Sequence, residues 1–594
     1  MKLTKLIQNL EWLRSDIIGR NKLFQTPFGE KPLVYADYTA SGRCLYSVEN
    51  YLLHIMQYYA NTHTEDDFTG KTMTTLLHDA EKIIKKMVNA GKTGKVIFTE
   101  SGTTGGITRL QQILGVYWPP ATKKRINDFL KSCEDRYPER KKCGTELQDY
   151  IHDNKPIVFV GPYEHHSNEI MWRQTLCDVV QIPLNQEGEI DLNELERAVS
   201  DEKYKKRPKI GSFSAASNVS GIKTAVYEVA RILHKHNALA CFDFAACAPY
   251  VEINMNKDEE SYFDAIFLSP HKFLGGPGTA GLLIINENIY PKELPPCIAA
   301  GGTVDYVSLY REKYIDDIET REKPGTPAIL QDIKIALAFQ IKEKVGIKNI
   351  ETIERYWLEK FYTRFLGNKK IMFYGPTDID KKVNIIPFNI KHKDRILHPK
   401  FVTKLMNDLF GIQTRAGCSC AGPYGHRLLD ITDEISRYYQ CLIGVDKYSG
   451  LKPGWVRFNL HYALSPAEYD YIVEVLDFII ENGHLFIQFY EFDFRTGDWY
   501  HIDEKEMKML ISLDIDELLH KEKFELGNNE NMKEIFERNL QDAKNKIKKL
   551  NEPGNFGKFE ENLERLMFFY VANYVGKDDF KCNHEFARMD TKNK

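Results

Sequence analysis

With 594 residues, a formal net charge of −4, 43% hydrophobic and 28% charged residues, the chain is too long for one core and has the composition of a soluble globular protein of roughly three to four domains. No Lys/Arg run interleaved with aromatics offers a nucleic-acid stripe, and no apolar stretch approaches the ~20 residues that span a bilayer. Eleven cysteines, an odd number scattered along the chain, argue against a secreted disulfide framework and predict a reduced, cytoplasmic protein.

Met1 to Leu10 places apolar residues at helical spacing and is soon followed by Glu11 and Asp16. A helical arm over residues 1–30 is expected there, not a signal or transit peptide. From Val34 to Ile285 short apolar runs alternate with helical patterns: Val96 to Phe98, Ile157 to Val160, Ile210 to Ser214, Ala238 to Phe244, Ala265 to Leu268 and Leu282 to Ile285. Alternation of this kind predicts an α/β domain with a mainly parallel sheet, over residues 31–330. Lys123 to Asn154 is dense in charge and is read as a surface insertion, at about 121–155. A smaller α+β domain is expected over 331–485 and a helical appendage of unknown role over 486–594. In that appendage Met532, Ile535, Phe536, Leu540, Ala543, Ile547 and Leu550 recur at helical spacing, as do Phe559, Leu563, Leu566, Met567 and Tyr570. Asn551-Glu-Pro-Gly554 separates the two patterns.

Lys272 stands in Ser269-Pro-His-Lys-Phe-Leu-Gly-Gly-Pro-Gly278, between two strand-like runs. A desolvated lysine at such a turn has a depressed pKa and is a nucleophilic amine toward a carbonyl; a solvated turn lysine is the plainer alternative. Glu100-Ser-Gly-Thr-Thr-Gly-Gly-Ile107 follows a strand and opens a helix, which suits a phosphate as well as a simple cap. No Gly-Lys-Ser/Thr follows, so it is not a Walker A loop. Asp243 closes an apolar strand, where a carboxylate is costly without a partner; a protonated pyridine nitrogen or a helix cap would each answer that. In Glu164-His165-His166-Ser-Asn168 a histidine is placed to stack on an aromatic cofactor or relay a proton. No further ligands stand at metal spacing, so no metal is expected. Arg415-Ala-Gly-Cys418-Ser-Cys420-Ala-Gly sets glycine-flanked cysteines beside an arginine, a setting for a reactive thiolate or for buried loop cysteines. Arg457 lies mid-strand by pattern: turned inward it needs an anion, such as a substrate carboxylate, and turned outward it is solvated.

Together these motifs resemble the class V aminotransferase, cysteine desulfurase-like family of pyridoxal-phosphate enzymes, from about Tyr35 to Asn482. Tyr35-Ala-Asp-Tyr-Thr-Ala40, Asn61-Thr-His63, Ser217-Asn-Val-x-Gly221, Ser269-x-His271-Lys272 and Gly325-Thr-Pro327 carry the resemblance. It implies the transferase fold type I, with Lys272 as the Schiff-base lysine and Thr103, Thr104, Ser269 and His271 on the cofactor phosphate. It implies further that Asp243 pairs with the pyridine nitrogen and His165 stacks on the ring. Asn218, His63, Arg415 and Arg457 would hold the substrate, and Thr326 would reach the cofactor of a second subunit, making a homodimer. Cys420 matches the sulfur-accepting cysteine of the short-loop branch, which also includes selenocysteine lyases. Ala246 stands where the family has a glutamine, and Cys418 and Ser419 where it often has histidines.

The resulting expectation is a cysteine desulfurase-like lyase that converts cysteine to alanine and leaves a persulfide on Cys420, with a sulfur-acceptor protein as partner and no nucleic acid or membrane. An aminotransferase, epimerase or other lyase with a structural Cys420 is the nearer alternative, and a non-catalytic scaffold the more distant one.

Overall fold

Ile157–Val160 and Ala265–Leu268 are buried along their whole lengths, as strands covered on both faces must be. These runs set the architecture. The computed structural model describes residues 2–62, 64–136, 149–445, 448–503, 515, 531–553 and 566–575. They form two units, one of Ala40–Glu351 with Lys381–Val383, the other of Met1–Thr39, Thr352–Asp380 and Asn384–Lys594.

The first unit is built on a seven-stranded sheet. Its elements in chain order are β1 (Gly94–Thr99), α1 (Gly102–Ile113), β2 (Ile157–Val160), β3 (Asp178–Gln181), β4 (Lys209–Ser214), α2 (Val226–Lys235), β5 (Ala238–Asp243), β6 (Ala265–Leu268), β7 (Gly281–Asn286) and α3 (Ile329–Val345). The strand order is β1-β7-β6-β5-β4-β2-β3. Strands β2 to β6 run parallel to one another, and β7 is antiparallel to both β6 and β1. This is the mainly parallel α/β sheet expected, six of its strands falling within two residues of their apolar runs; the edge strand β3 (Asp178–Gln181) was not among those runs. Ile107, Leu110 and Ile113 of α1 join Ile97, Val158, Phe267 and Leu283 of the sheet in one core, each such side chain contributing about 1.5–3 kcal/mol by leaving water. That packing fixes the N-terminus of α1 beside the carboxyl ends of the parallel strands, where functional loops of such sheets gather. The charged segment before β2 contributes an exposed helix, Pro120–Arg136; residues 137–148 lie outside the described residues.

The second unit holds β8 (Ile371–Phe373), β9 (Ile386–His392), α4 (Pro399–Phe410), β10 (Arg415–Gly417), β11 (Trp455–Phe458) and α5 (Pro466–Asn482). Its antiparallel sheet has the order β8-β9-β11-β10. The amino-terminal helices Lys2–Gln8 and Glu11–Asp16 belong here. Arg14 is buried and donates to the carbonyls of Ile7 and Ala463.

The tail departs from the all-helical expectation. The first amphipathic pattern is a helix, α6, over Met532–Ile547, with Phe536 stacked on Tyr471 at 4.2 Å. Strands β12 (Tyr490–Asp493), β13 (Trp499–His501) and β14 (Asn573–Val575) form a small sheet, β12 antiparallel to β13 and parallel to β14. The second pattern is not a helix where it is described. Leu566 stands in a turn and Met567 to Tyr570 are not helical, with Phe569 bridging Ile396; Phe559 and Leu563 lie outside the described residues. Nearly every residue from Leu566 to Val571 is buried, and a short run buried on all sides has no periodicity to separate strand from helix. Among the described residues no helix is long and apolar enough to cross a membrane.

Candidate active site

Strand β6 ends at Leu268, and Pro270–Lys272 continues as a single 3-10 turn with proline in its first position, where its fixed φ suits the turn and no N–H is wasted. The Lys272 N–H donates to the Ser269 carbonyl at 3.0 Å. Glycine is required at Gly276, because a Cβ there would lie 1.9 Å from the Pro270 carbonyl oxygen. The His271 carbonyl accepts from the Gly42 N–H at 2.9 Å and from Ser41 Oγ at 3.1 Å, which fixes the turn. Burial, and after it the charge of Lys272, push the His271 imidazole down to about 4, so it is neutral near pH 7.

Asp243 closes β5 and is buried, accepting from the Ala245 N–H at 2.8 Å and Thr103 Oγ1 at 3.2 Å. Burial pushes its carboxyl up, opposed by these donors and by the positive charge of Lys272. Thr103, in the first turn of α1, donates its N–H to Ser269 Oγ at 2.9 Å, and the two hydroxyls are 3.0 Å apart. Gly102 has φ +47°, and a Cβ there would crowd Ser269 Oγ at 2.8 Å. The N-cap residue Ser101 makes no side-chain cap to the helix, so the Ser269 hydroxyl serves its first turn from outside. Lys272, Asp243, Thr103 and Ser269 thus converge at the carboxyl ends of β5 and β6, beside a helix N-terminus lined with hydroxyls. That arrangement is a cradle for an anion next to an amine and a buried carboxylate.

Thr104 Oγ1 lies 2.7 Å from Ser167 Oγ, and the Ser167 N–H donates to His165 Nδ1 at 3.2 Å. That bond leaves the proton of a neutral ring on Nε2. Glu164, which sequence reasoning did not single out, anchors this loop. Its carboxyl accepts from the N–H groups of Gly161 and Ser214, from Ser214 Oγ and from Asn168 Nδ2. Burial outweighs those donors and pushes it up to about 7. A carboxylic residue directly after the strand-closing Gly161-Pro-Tyr, and before the histidines, was the signal available. Asn218 is half-buried in the loop after β4, and Ser217 Oγ turns that loop by accepting the Val219 N–H at 3.1 Å. Thr326 is exposed and accepts from Asn61 Nδ2 at 3.0 Å. His63 lies outside the described residues.

In the second unit Arg415 of β10 stands directly across from Arg457 of β11. Arg457 is 3% exposed, so it is an inward arginine, and its Nη2 donates to Asp37 at 3.1 Å. Asp37 is therefore an anion that the sequence reading did not assign to it. Burial lowers the Arg457 pKa, and Asp37 and then Cys420 act in the other direction, which puts Cys420 within electrostatic reach of the guanidinium. Cys418 to Ala421 form a tight turn closed by the Ala421 N–H on the Cys418 carbonyl at 3.2 Å. Its two central residues, Ser419 and Cys420, have φ of +54° and +57°, a conformation that costs a residue with a Cβ about 1–2 kcal/mol. The strained turn leaves Cys420 exposed and Cys418 half-buried.

The family model for Aminotransferase class-V matches residues 34–123 and 146–439, more than half of the chain. The chain belongs to the class V aminotransferase family. It is accordingly a pyridoxal-phosphate-dependent enzyme, and its sheet is that of the type I fold. A protein of Halalkalibacterium halodurans described as a probable cysteine desulfurase is 28% identical over 406 residues, covering 68% of this chain and 87% of its own length. One of Pyrococcus abyssi with the same description is 29% identical over 334 residues, covering 54% and 79%. Among solved structures, the apo cysteine desulfurase of Thermococcus onnurineus NA1 superposes with a TM-score of 0.59 at 22% identity, over 76% of this chain and 95% of that one. A cysteine desulfurase of Escherichia coli in an S-sulfonic acid form gives 0.54 at 18% identity, over 77% and 97%. These two superpositions establish the shared fold.

Proposed function

We propose that this class V enzyme is a cysteine desulfurase that holds pyridoxal phosphate on Lys272 and converts cysteine to alanine. The observation that carries the cofactor assignment is the convergence of Lys272, the buried Asp243 and the Thr103–Ser269 hydroxyl pair at a helix N-terminus. These residues fit the group: the helix end and hydroxyls suit its phosphate, and Asp243 suits its ring nitrogen. Thr104 and His271 complete the phosphate side, with His165 against the ring.

Bound pyridoxal phosphate supplies an electron sink for a carbanion at the substrate Cα. The Lys272 amine, once free, takes the Cα proton and later returns one to the substrate. Asp243 keeps a proton on the ring nitrogen, its carboxylate being worth most there because it is out of water. Asn218 and Arg457 hold the substrate, the latter exchanging Asp37 for the substrate carboxylate, with His63 and Arg415 assisting. The Cys420 thiolate attacks the substrate sulfur, so that the new S–S bond forms as the Cβ–S bond breaks. Alanine leaves and Cys420 keeps the sulfur as a persulfide, for delivery to a sulfur-acceptor protein. The relatives described as cysteine desulfurases support this reaction. With the departures at Ala246, Cys418 and Ser419, the second reading is an aminotransferase, epimerase or other lyase of the same class with a structural Cys420.

A homodimer fits an exposed hairpin, Val304–Val307 with Glu312–Tyr314, on which Tyr306, Val307, Leu309 and Tyr310 present apolar side chains to solvent. A cytoplasmic location fits the scattered cysteines, those described being free thiols. Borohydride reduction of the cofactor-loaded enzyme followed by peptide mapping is expected to place the pyridoxyl label on Lys272. A label on another lysine would refute the assignment.

A further inference from the structure

His392, His484 and Glu552 come together in the second unit, although 160 residues of sequence separate the first from the last. One potential ligand atom from each lies within 4.8 Å of the others. His392 closes β9, His484 follows α5 at the start of the 3-10 segment Gly483–Phe489, and Glu552 follows α6. The two imidazoles stack at 4.1 Å between centroids and 18° between planes. Glu552 reaches His484 Nε2 at 3.1 Å. His484 is mostly covered while Glu552 is exposed, so the group opens to solvent on the carboxylate side.

We propose that these three side chains bind one divalent transition-metal ion, with zinc the best fit, completed by water. Two imidazoles and a carboxylate are a recurrent zinc donor set, and zinc with four such ligands keeps their atoms about 3.3–3.5 Å apart. The His484–Glu552 distance of 3.1 Å is within a few tenths of an ångström of that, and the two stacked rings must turn out of their parallel alignment for both to face one ion. Nitrogen and oxygen donors without a thiolate suit Zn2+, Co2+ or Ni2+ and not a hard ion such as Mg2+. The ion would clip the turn after α6 to the end of β9 and the start of the 3-10 segment. It therefore gives the tail a structural role distinct from the chemistry at Lys272, because a site formed only in the folded chain stabilises that chain on binding metal.

Co2+ titration of the full-length, cofactor-loaded enzyme tests the site, read by its d–d absorption and by isothermal calorimetry with Zn2+. Metal held instead by Cys418 or Cys420 would announce itself by thiolate-to-cobalt charge transfer. One ion per chain is expected with nitrogen/oxygen-type bands, together with a melting temperature that rises with metal concentration. Glu552→Gln, an exposed and conservative change, is expected to weaken affinity about tenfold or more. His484→Ala is expected to abolish binding at this site while leaving alanine production unchanged. Absence of binding in the parent, or unchanged stoichiometry and affinity in His484→Ala, would overturn the proposal.

Discussion

Glu164 shows how one buried carboxyl couples the cofactor loop to pH. Its pKa of about 7 in the folded chain stands above the ordinary 4.5, so between those values the native state holds a proton that the unfolded state has lost. Stability contributed by that proton is present below about pH 4.5 and is lost as pH rises through 7, by about 3 kcal/mol in all. Glu164→Gln is expected to flatten this part of the pH dependence, measured as the difference in unfolding free energy between parent and variant at pH 5 and pH 8. An unchanged slope would mean that the carboxyl is ionised in the native protein. Asp243→Asn is expected to leave the melting temperature nearly unchanged and to slow substrate Cα-proton exchange by orders of magnitude, because the ring nitrogen loses its counter-charge. Normal exchange would return Asp243 to a capping role. At the cysteine turn, Ser419→Gly is expected to stabilise the protein by about 1 kcal/mol, since glycine adopts φ +54° without strain; a denaturation midpoint at or below the parent's would contradict this. Lys272, Asp243 and Thr103, which the fold brings together, could be singled out in the sequence because each stands at a strand end or helix start. Asp37 and Glu164 were not, because their partners, Arg457 and Ser214, are chosen by tertiary contact and not by spacing.

Strands β2 and β6 were readable almost to the residue, because burial on both faces demands an unbroken apolar run and Gly, Pro or a charge marks each end. The same property hid the end of the tail. Leu566 to Val571 are as continuously apolar as those strands, and spacing alone assigned part of that run to a helix. Helix α5 illustrates the opposite case, with its start written in Ser465-Pro-Ala-Glu468. Ser465 Oγ accepts the Glu468 N–H at 3.2 Å, and the Glu468 carboxylate accepts the Ser465 N–H at 2.8 Å. The carboxylate also pairs with Arg20 at 3.0 Å, which ties the amino-terminal arm to this unit. Ser465→Ala is expected to cost about 1 kcal/mol of stability by chemical denaturation. A loss near zero would show that the Arg20 pair alone holds the helix start.

At the scale of the whole molecule, one unit carries the cradle of Lys272, Asp243 and Thr103, and the other carries Arg457, Cys420 and the tail. The exposed apolar hairpin around Leu309 and Tyr310 is the surface on which a homodimer is expected. Replacing both residues with aspartate is expected to halve the mass seen by sedimentation, and an unchanged mass would place the dimer contact elsewhere. The most direct test of the proposed function is to give the purified, cofactor-loaded protein cysteine together with a reducing thiol, and to measure alanine and sulfide. The account predicts equimolar alanine and sulfide from the parent, none from Lys272→Ala, and no sulfide from Cys420→Ser although the cofactor remains bound. Pyruvate or keto-acid products in place of alanine, or full sulfide release by Cys420→Ser, would contradict it.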